Sequence, residues 1–146
     1  MLRDFKPLIN KETTDSATIE ATFKRGDVAE GLQACKKTGR SLVDFAPVIA
    51  AGMRKMYVSG RSNELLSLIY KRGLPCPYDI PTLLRALLAK NDFPGFLKQA
   101  SRFEVYKGFE ADIQLAIESL RSKKQHGPAD TYQQRFDDLR RRSAAP

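Results

Sequence analysis

Cysteine and histidine are scarce in this chain. Its 146 residues include two cysteines, Cys35 and Cys76, and one histidine, His126. Two cysteines make no disulfide framework. Cys35 falls on an apolar stripe with Val28 and Leu32, which predicts a buried, reduced thiol. Cys76 lies in the link Pro75-Cys76-Pro77. With a single histidine and no cysteine pair at ligand spacing, no metal site is expected. Long apolar runs are missing as well. None approaches the ~20 residues needed to cross a bilayer, and no signal-peptide core precedes Gly31. Glycine-rich runs are absent too. Gly52 and Gly95 are isolated, so no loop is built to cradle a phosphate.

The same scarcity argues against catalysis. His126 has no cysteine or serine nucleophile near it in sequence and reads as a surface residue at a helix end. Asp137 and Asp138 precede Arg140, Arg141 and Arg142, which makes them a solvated charged face and not a catalytic carboxylate pair. The expectation is a non-enzyme with no catalytic, cofactor-binding or metal-binding residues.

What the chain does have is a repeat. Gly39, Gly73 and Gly108 are spaced 34 and 35 apart. Gly26, Gly60, Asn91 and Gly127 are spaced 34, 31 and 36 apart and mark turns in mid-unit. The unit ends share letters: Lys36-Lys37-Thr38-Gly39, Tyr70-Lys71-Arg72-Gly73 and Tyr106-Lys107-Gly108. Between these marks run helical stripes. Ile80, Leu83, Leu84, Leu87 and Leu88 make the clearest one. Ile49, Met53, Met56 and Tyr57 make another, and Phe96, Leu97, Ala100 and Phe103 a third. Two helices per unit at this period predict an all-α solenoid of about four helix-turn-helix repeats.

The predicted helix ends follow from local chemistry. Residues 1–14, with Pro7, are expected as an extended arm, and the first helix is expected to start after Asp15 or Ser16. Asp27 and Glu30 have capping-box spacing. Ser62, Asp79 and Asp92 are expected caps for later helices, with Pro47, Pro81 and Pro94 in first turns. The repeat domain is placed at 15–126, its last helix ending at Lys123, Lys124 and His126. Gly127-Pro128 should turn the chain into a basic capping helix and tail over 127–146.

A helix pair of this length, closed by Ile69-Tyr70-Lys71-Arg72-Gly73-Leu74-Pro75-Cys76-Pro77-Tyr78-Asp79, resembles the pentatricopeptide repeat, a relative of the TPR. The resemblance runs from about Ser16 to Gln125 and implies a right-handed α-solenoid. It also implies a mitochondrial or plastid home and single-stranded RNA as ligand. In that family one base is read by a polar residue together with a unit-end residue, often aspartate. Asp44, Asp79 and Asp112 stand at the unit ends here. Their partners would be Ile49, Leu84 and Ile117, or by another count Ala50, Pro81 and Ile117, and none offers a base-reading side chain. Helix capping is the expected job of all three aspartates.

A small, basic chain of this kind without the reading code is similar to the pentatricopeptide-like extra subunit on the catalytic head of euglenozoan mitochondrial ATP synthase. That resemblance implies a non-catalytic scaffold in the mitochondrial matrix, bound to the ATP synthase α subunit, with no membrane insertion. The alternative is an RNA-binding module or a subunit of the mitoribosome or of an RNA-processing complex. The net charge of +8 suits either an acidic protein partner or RNA. Arg54, Tyr57, Arg61, Arg85, Arg140, Arg141 and Arg142 are the expected partner-binding residues, since Tyr and Arg dominate interface energetics.

Overall fold

The structure, a computed structural model, describes residues 11–144. It is all-α: eight α-helices, one short 3-10 turn and no strand occur among the described residues. The chain divides into two compact units, one ending at Arg61 and the other beginning at Ser62.

The first unit holds α1 (Lys11–Lys24), α2 (Val28–Thr38), a 3-10 turn (Leu42–Phe45) and α3 (Ala46–Val58). Helix α1 packs against both α2 and α3. The core is centred on Phe23, which is fully buried and sits 5.9 Å from the ring of Phe45. Val28, Leu32, Cys35, Ile49, Met53 and Met56 complete it. The close approach depends on Gly52, where a Cβ would lie 2.3 Å from the Phe23 carbonyl oxygen. Any side chain there would push α3 off the end of α1.

The second unit holds α4 (Ser62–Arg72), α5 (Ile80–Ala89), α6 (Phe93–Arg102), α7 (Glu110–Ser122) and α8 (His126–Ala144). Each of α4 and α6 packs against the next helix and the next but one; α5 packs on α6 and α7 on α8. The predicted α5 stripe is real: Leu83, Leu84 and Leu87 are buried. Burying each such side chain stabilises by about 1.5–3 kcal/mol before chain entropy is subtracted.

Polar bonds set the register of α4, α6 and α8. The amide of the fully buried Gln99 donates to the Asn63 side-chain oxygen at 2.8 Å and the Asn63 carbonyl at 3.2 Å, and lies 2.8 Å from the Ser67 hydroxyl. Arg102 donates to Ser67 at 3.4 Å. Arg135 donates to Ser101 at 2.6 Å, and Arg142 lies 3.6 Å from Glu104. Partners advance together along both chains, Asn63 with Gln99 and Ser67 with Arg102, so α4 and α6 run parallel. By the same test α8 runs parallel to α6.

Four of the turns that follow helices have one construction. The backbone N–H of Asp27 reaches the Thr22 carbonyl, Arg61 reaches Met56, Asp92 reaches Leu87 and Gln125 reaches Leu120, at 2.8–3.2 Å. This is the long bond of a Schellman turn, and it requires a left-handed residue just before the donor. Those residues are Gly26, Gly60, Asn91 and Lys124, with φ of 93°, 77°, 58° and 62°.

Several predicted boundaries move. Helix α1 already starts at Lys11, so residues 11–14 are helical and not part of the arm expected over 1–14; residues 1–10, like Ala145 and Pro146, lie outside the described residues. No proline or glycine between Lys11 and Ser16 opposes the earlier start. The fourth turn is Lys124, not Gly127. Helix α7 stops at Ser122, and His126, Gly127 and Pro128 form the first turn of α8, where proline's missing N–H has no partner to lose. The Asp27–Glu30 capping box does not form. Asp27 makes no cap bond, because Arg25 at 3.2 Å and Arg61 at 4.0 Å hold its carboxylate. Ser62 is the first helical residue of α4 and not its cap, with a buried hydroxyl lacking a protein partner.

Of the three unit-end aspartates, Asp79 caps α5 by accepting from Thr82 N at 2.8 Å. Asp44 lies inside the 3-10 turn and Asp112 in the first turn of α7, and neither is the cap residue. Asp92 caps α6 as expected, accepting from Gly95 N at 3.1 Å.

Candidate partner-binding surface

The expected partner-binding residues fall into places of different character. Arg54 is exposed on α3, and Tyr57 is half-buried one turn later. Arg61, just beyond α3, is engaged inside its own unit. Its guanidinium donates to the Gly26 carbonyl at 3.1 Å and so ties the turn after α1 to the turn after α3. Arg85 is exposed on α5, and its guanidinium lies over the buried Phe109 ring, 5.2 Å from the centroid. This cation–π contact joins α5 to the start of α7.

Arg140, Arg141 and Arg142 crowd the last turns of α8. Arg140 pairs with Asp137, Arg141 with Asp138 and Arg142 with Glu104. The Asp137 carboxyl is held below its usual pKa, chiefly by the hydrogen bond from Arg140 and then by that from Gln133. Such exposed i,i+3 pairs contribute little to stability. They do hold the arginines in order along the helix, with guanidinium donors to spare.

One cluster escaped the sequence reading. Tyr70, on the last turn of α4, is 53% exposed. Its ring meets Phe103 edge to face at 5.4 Å and carries the Arg102 guanidinium at 5.3 Å. Lys71 and Arg72 follow it and are exposed. The signal was present in Tyr70-Lys71-Arg72-Gly73, which marks a unit end. What the sequence lacked was the parallel packing of α4 on α6 that brings Arg102 and Phe103 alongside.

No other chemistry converges. Ile49, Leu84 and Ile117, the base-reading positions by one count, are buried in the cores, and Ala50 and Pro81, from the other count, are half-buried. Among the described residues no group of three or more His, Cys, Asp or Glu is placed to hold a metal ion. No helix among them is long and apolar enough to cross a membrane. An open groove along α8 is lined by Asp130, Gln133, Asp137 and Arg140, and its charged groups are paired, Asp130 with Arg121 at 2.7 Å. Burial raises the pKa of both Cys35 and Cys76, so neither thiol is activated. Compared with protein-family models, curated proteins and solved structures, the chain finds no match in any of the three.

Proposed function

We propose that this chain is a non-catalytic structural subunit of a larger mitochondrial assembly, built as a right-handed α-solenoid of about four pentatricopeptide-like repeats. The observation that carries this reading is the spacing of its interhelix polar bonds. Arg61 to Gly26, Gln99 to Asn63 and Ser67, Arg102 to Ser67, and Arg135 to Ser101 all join residues 32–36 apart; Arg142 to Glu104 spans 38, and Arg121 to Asp130, across a single turn, nine. Bonds that recur at one repeat length are what stacked helix pairs require. A stack of this kind offers a long surface for its size, which is the asset of a scaffold.

The partner of first choice is the α subunit of the ATP synthase catalytic head, in the mitochondrial matrix. That choice rests on the resemblance in size, basicity and absent reading code. The stable interface would cover several hundred Å² on this side.

The second reading, a single-stranded-RNA-binding module, is favoured by the net charge of +8. Against it stand the buried residues at the base-reading positions. Affinity purification from mitochondria separates the two. Recovery of ATP synthase α and β subunits that survives ribonuclease supports the scaffold. Recovery of RNA-bound complexes that disappears on ribonuclease treatment supports the alternative. Turnover of a substrate by the purified chain defeats both.

A further inference from the structure

The rim formed by the ends of α4 and α6 has a feature that the rest of the described surface lacks: an exposed aromatic ring held in place by its neighbours. Tyr70 is fixed by the Phe103 ring at 5.4 Å and by Arg102 at 5.3 Å, yet remains 53% exposed. Arg102 is itself fixed by Ser67 at 3.4 Å. An aromatic already immobilised loses little side-chain entropy when it binds, which is the condition for an interface hot spot.

Three cations adjoin this ring in sequence or in contact. Lys71, Arg72 and Arg102 flank it. The nearest acid in sequence beyond Arg102 is Glu104, and it faces Arg142 at 3.6 Å. Because α4 and α6 run parallel, their C-terminal ends lie at the same rim. Ser67 takes one donor of Arg102, and the guanidinium keeps others for an outside acceptor.

We propose that Tyr70, Lys71, Arg72 and Arg102 form the docking site for an acidic segment of a protein partner. Tyr70 is the anchor and the three cations bind carboxylates around it. This deepens the scaffold reading and rests on it. Charge complementarity selects an acidic partner, since carboxylates match guanidinium in forked pairs. One face of the Tyr70 ring is already covered by Arg102, which leaves less of it for a base to stack on.

The test uses the full chain in mitochondria with a photo-crosslinking amino acid at position 70, and separately at the control position Leu115 on α7, which is 55% exposed. Cross-linked material is identified by mass spectrometry. The expected result is a protein peptide rich in Asp and Glu attached at position 70. That adduct should drop at least tenfold when Lys71→Glu and Arg72→Glu are added, with circular dichroism unchanged. A neutral or basic peptide, or an adduct insensitive to the charge reversal, overturns the docking site. If Leu115 captures protein and position 70 does not, the docking site fails while the scaffold reading stands. If RNA is the adduct at both positions, the scaffold reading itself fails and takes the docking site with it.

Discussion

Gln99 donates a 2.8 Å hydrogen bond to the side chain of Asn63, thirty-six residues earlier, from a position with no solvent exposure. A polar bond in a dry site fixes how far one helix has slid along another. One residue of slip between α4 and α6 would strand the amide without its acceptors. Gln99→Ala should therefore cost about 1 kcal/mol, because it takes a donor from the half-buried Asn63 and Ser67 while also removing the buried Gln99 carbonyl oxygen, which has no protein partner. Urea denaturation checks this. Gln99→Ala and Asn63→Ala combined should fall short of additivity by at least about 0.5 kcal/mol.

The left-handed turns give a pair of opposite substitutions. Gly60 has φ of 77°, so Gly60→Ala should destabilise by about 1–2 kcal/mol. Lys124 occupies the equivalent place with φ of 62° and already bears that strain. Lys124→Gly relieves it at the cost of chain entropy and should be neutral or stabilising by up to about 1 kcal/mol. Thermal melts of the two variants should shift in opposite directions, or the second not at all.

The sequence carried the period, the apolar stripes and the caps at Asp79 and Asp92, because each depends on residues within one or two turns of each other. It misplaced the fourth turn. Gly127 looked like the better turn former, and only the bond from Gln125 N to the Leu120 carbonyl places the reversal at Lys124. It also assigned Asp27 to a cap, where Arg25 and Arg61 compete for the carboxylate. Arg61 reaches that site from a distant turn, which no local pattern records. Among the expected surface residues, Arg61 and Arg85 turn out to have partners within their own units, Gly26 and Phe109. The Tyr70 cluster needed two helices side by side before it could be seen.

Acid should loosen the ends of α5 and α8. Asp79 and Asp137 both have lowered pKa values, Asp79 chiefly from its bond with Thr82 and Asp137 chiefly from that with Arg140. A lowered folded-state pKa means that the contribution is present above the unfolded value of about 3.9 and is lost as pH falls through the folded one. Stability should be level from neutral pH down to about 5 and then decline. Asp79→Asn keeps an acceptor at the cap but removes the titration there, so its acid decline should be shallower than that of the parent chain. Chemical denaturation across this pH range reads the difference.

Replacing Arg140, Arg141 and Arg142 together by alanine should leave helicity nearly unchanged, since exposed ion pairs of this kind contribute at most about 1 kcal/mol each. If the end of α8 is part of the partner interface, the same variant should weaken recovery of the partner complex. Circular dichroism and quantitative co-purification on one preparation separate the two effects. Undiminished recovery assigns the three arginines to solvent.

The 32–36-residue reach of the interhelix bonds also bears on how the chain finds its fold. No loop much longer than this has to close before such a contact forms, so the length-dependent cost of each closure is capped at roughly 3 kcal/mol. Chains dominated by near-neighbour contacts fold quickly, on the scale of microseconds to milliseconds. Within each unit, a helix emerging from a ribosome can then settle against the helices made shortly before it, without waiting for the far end of the chain.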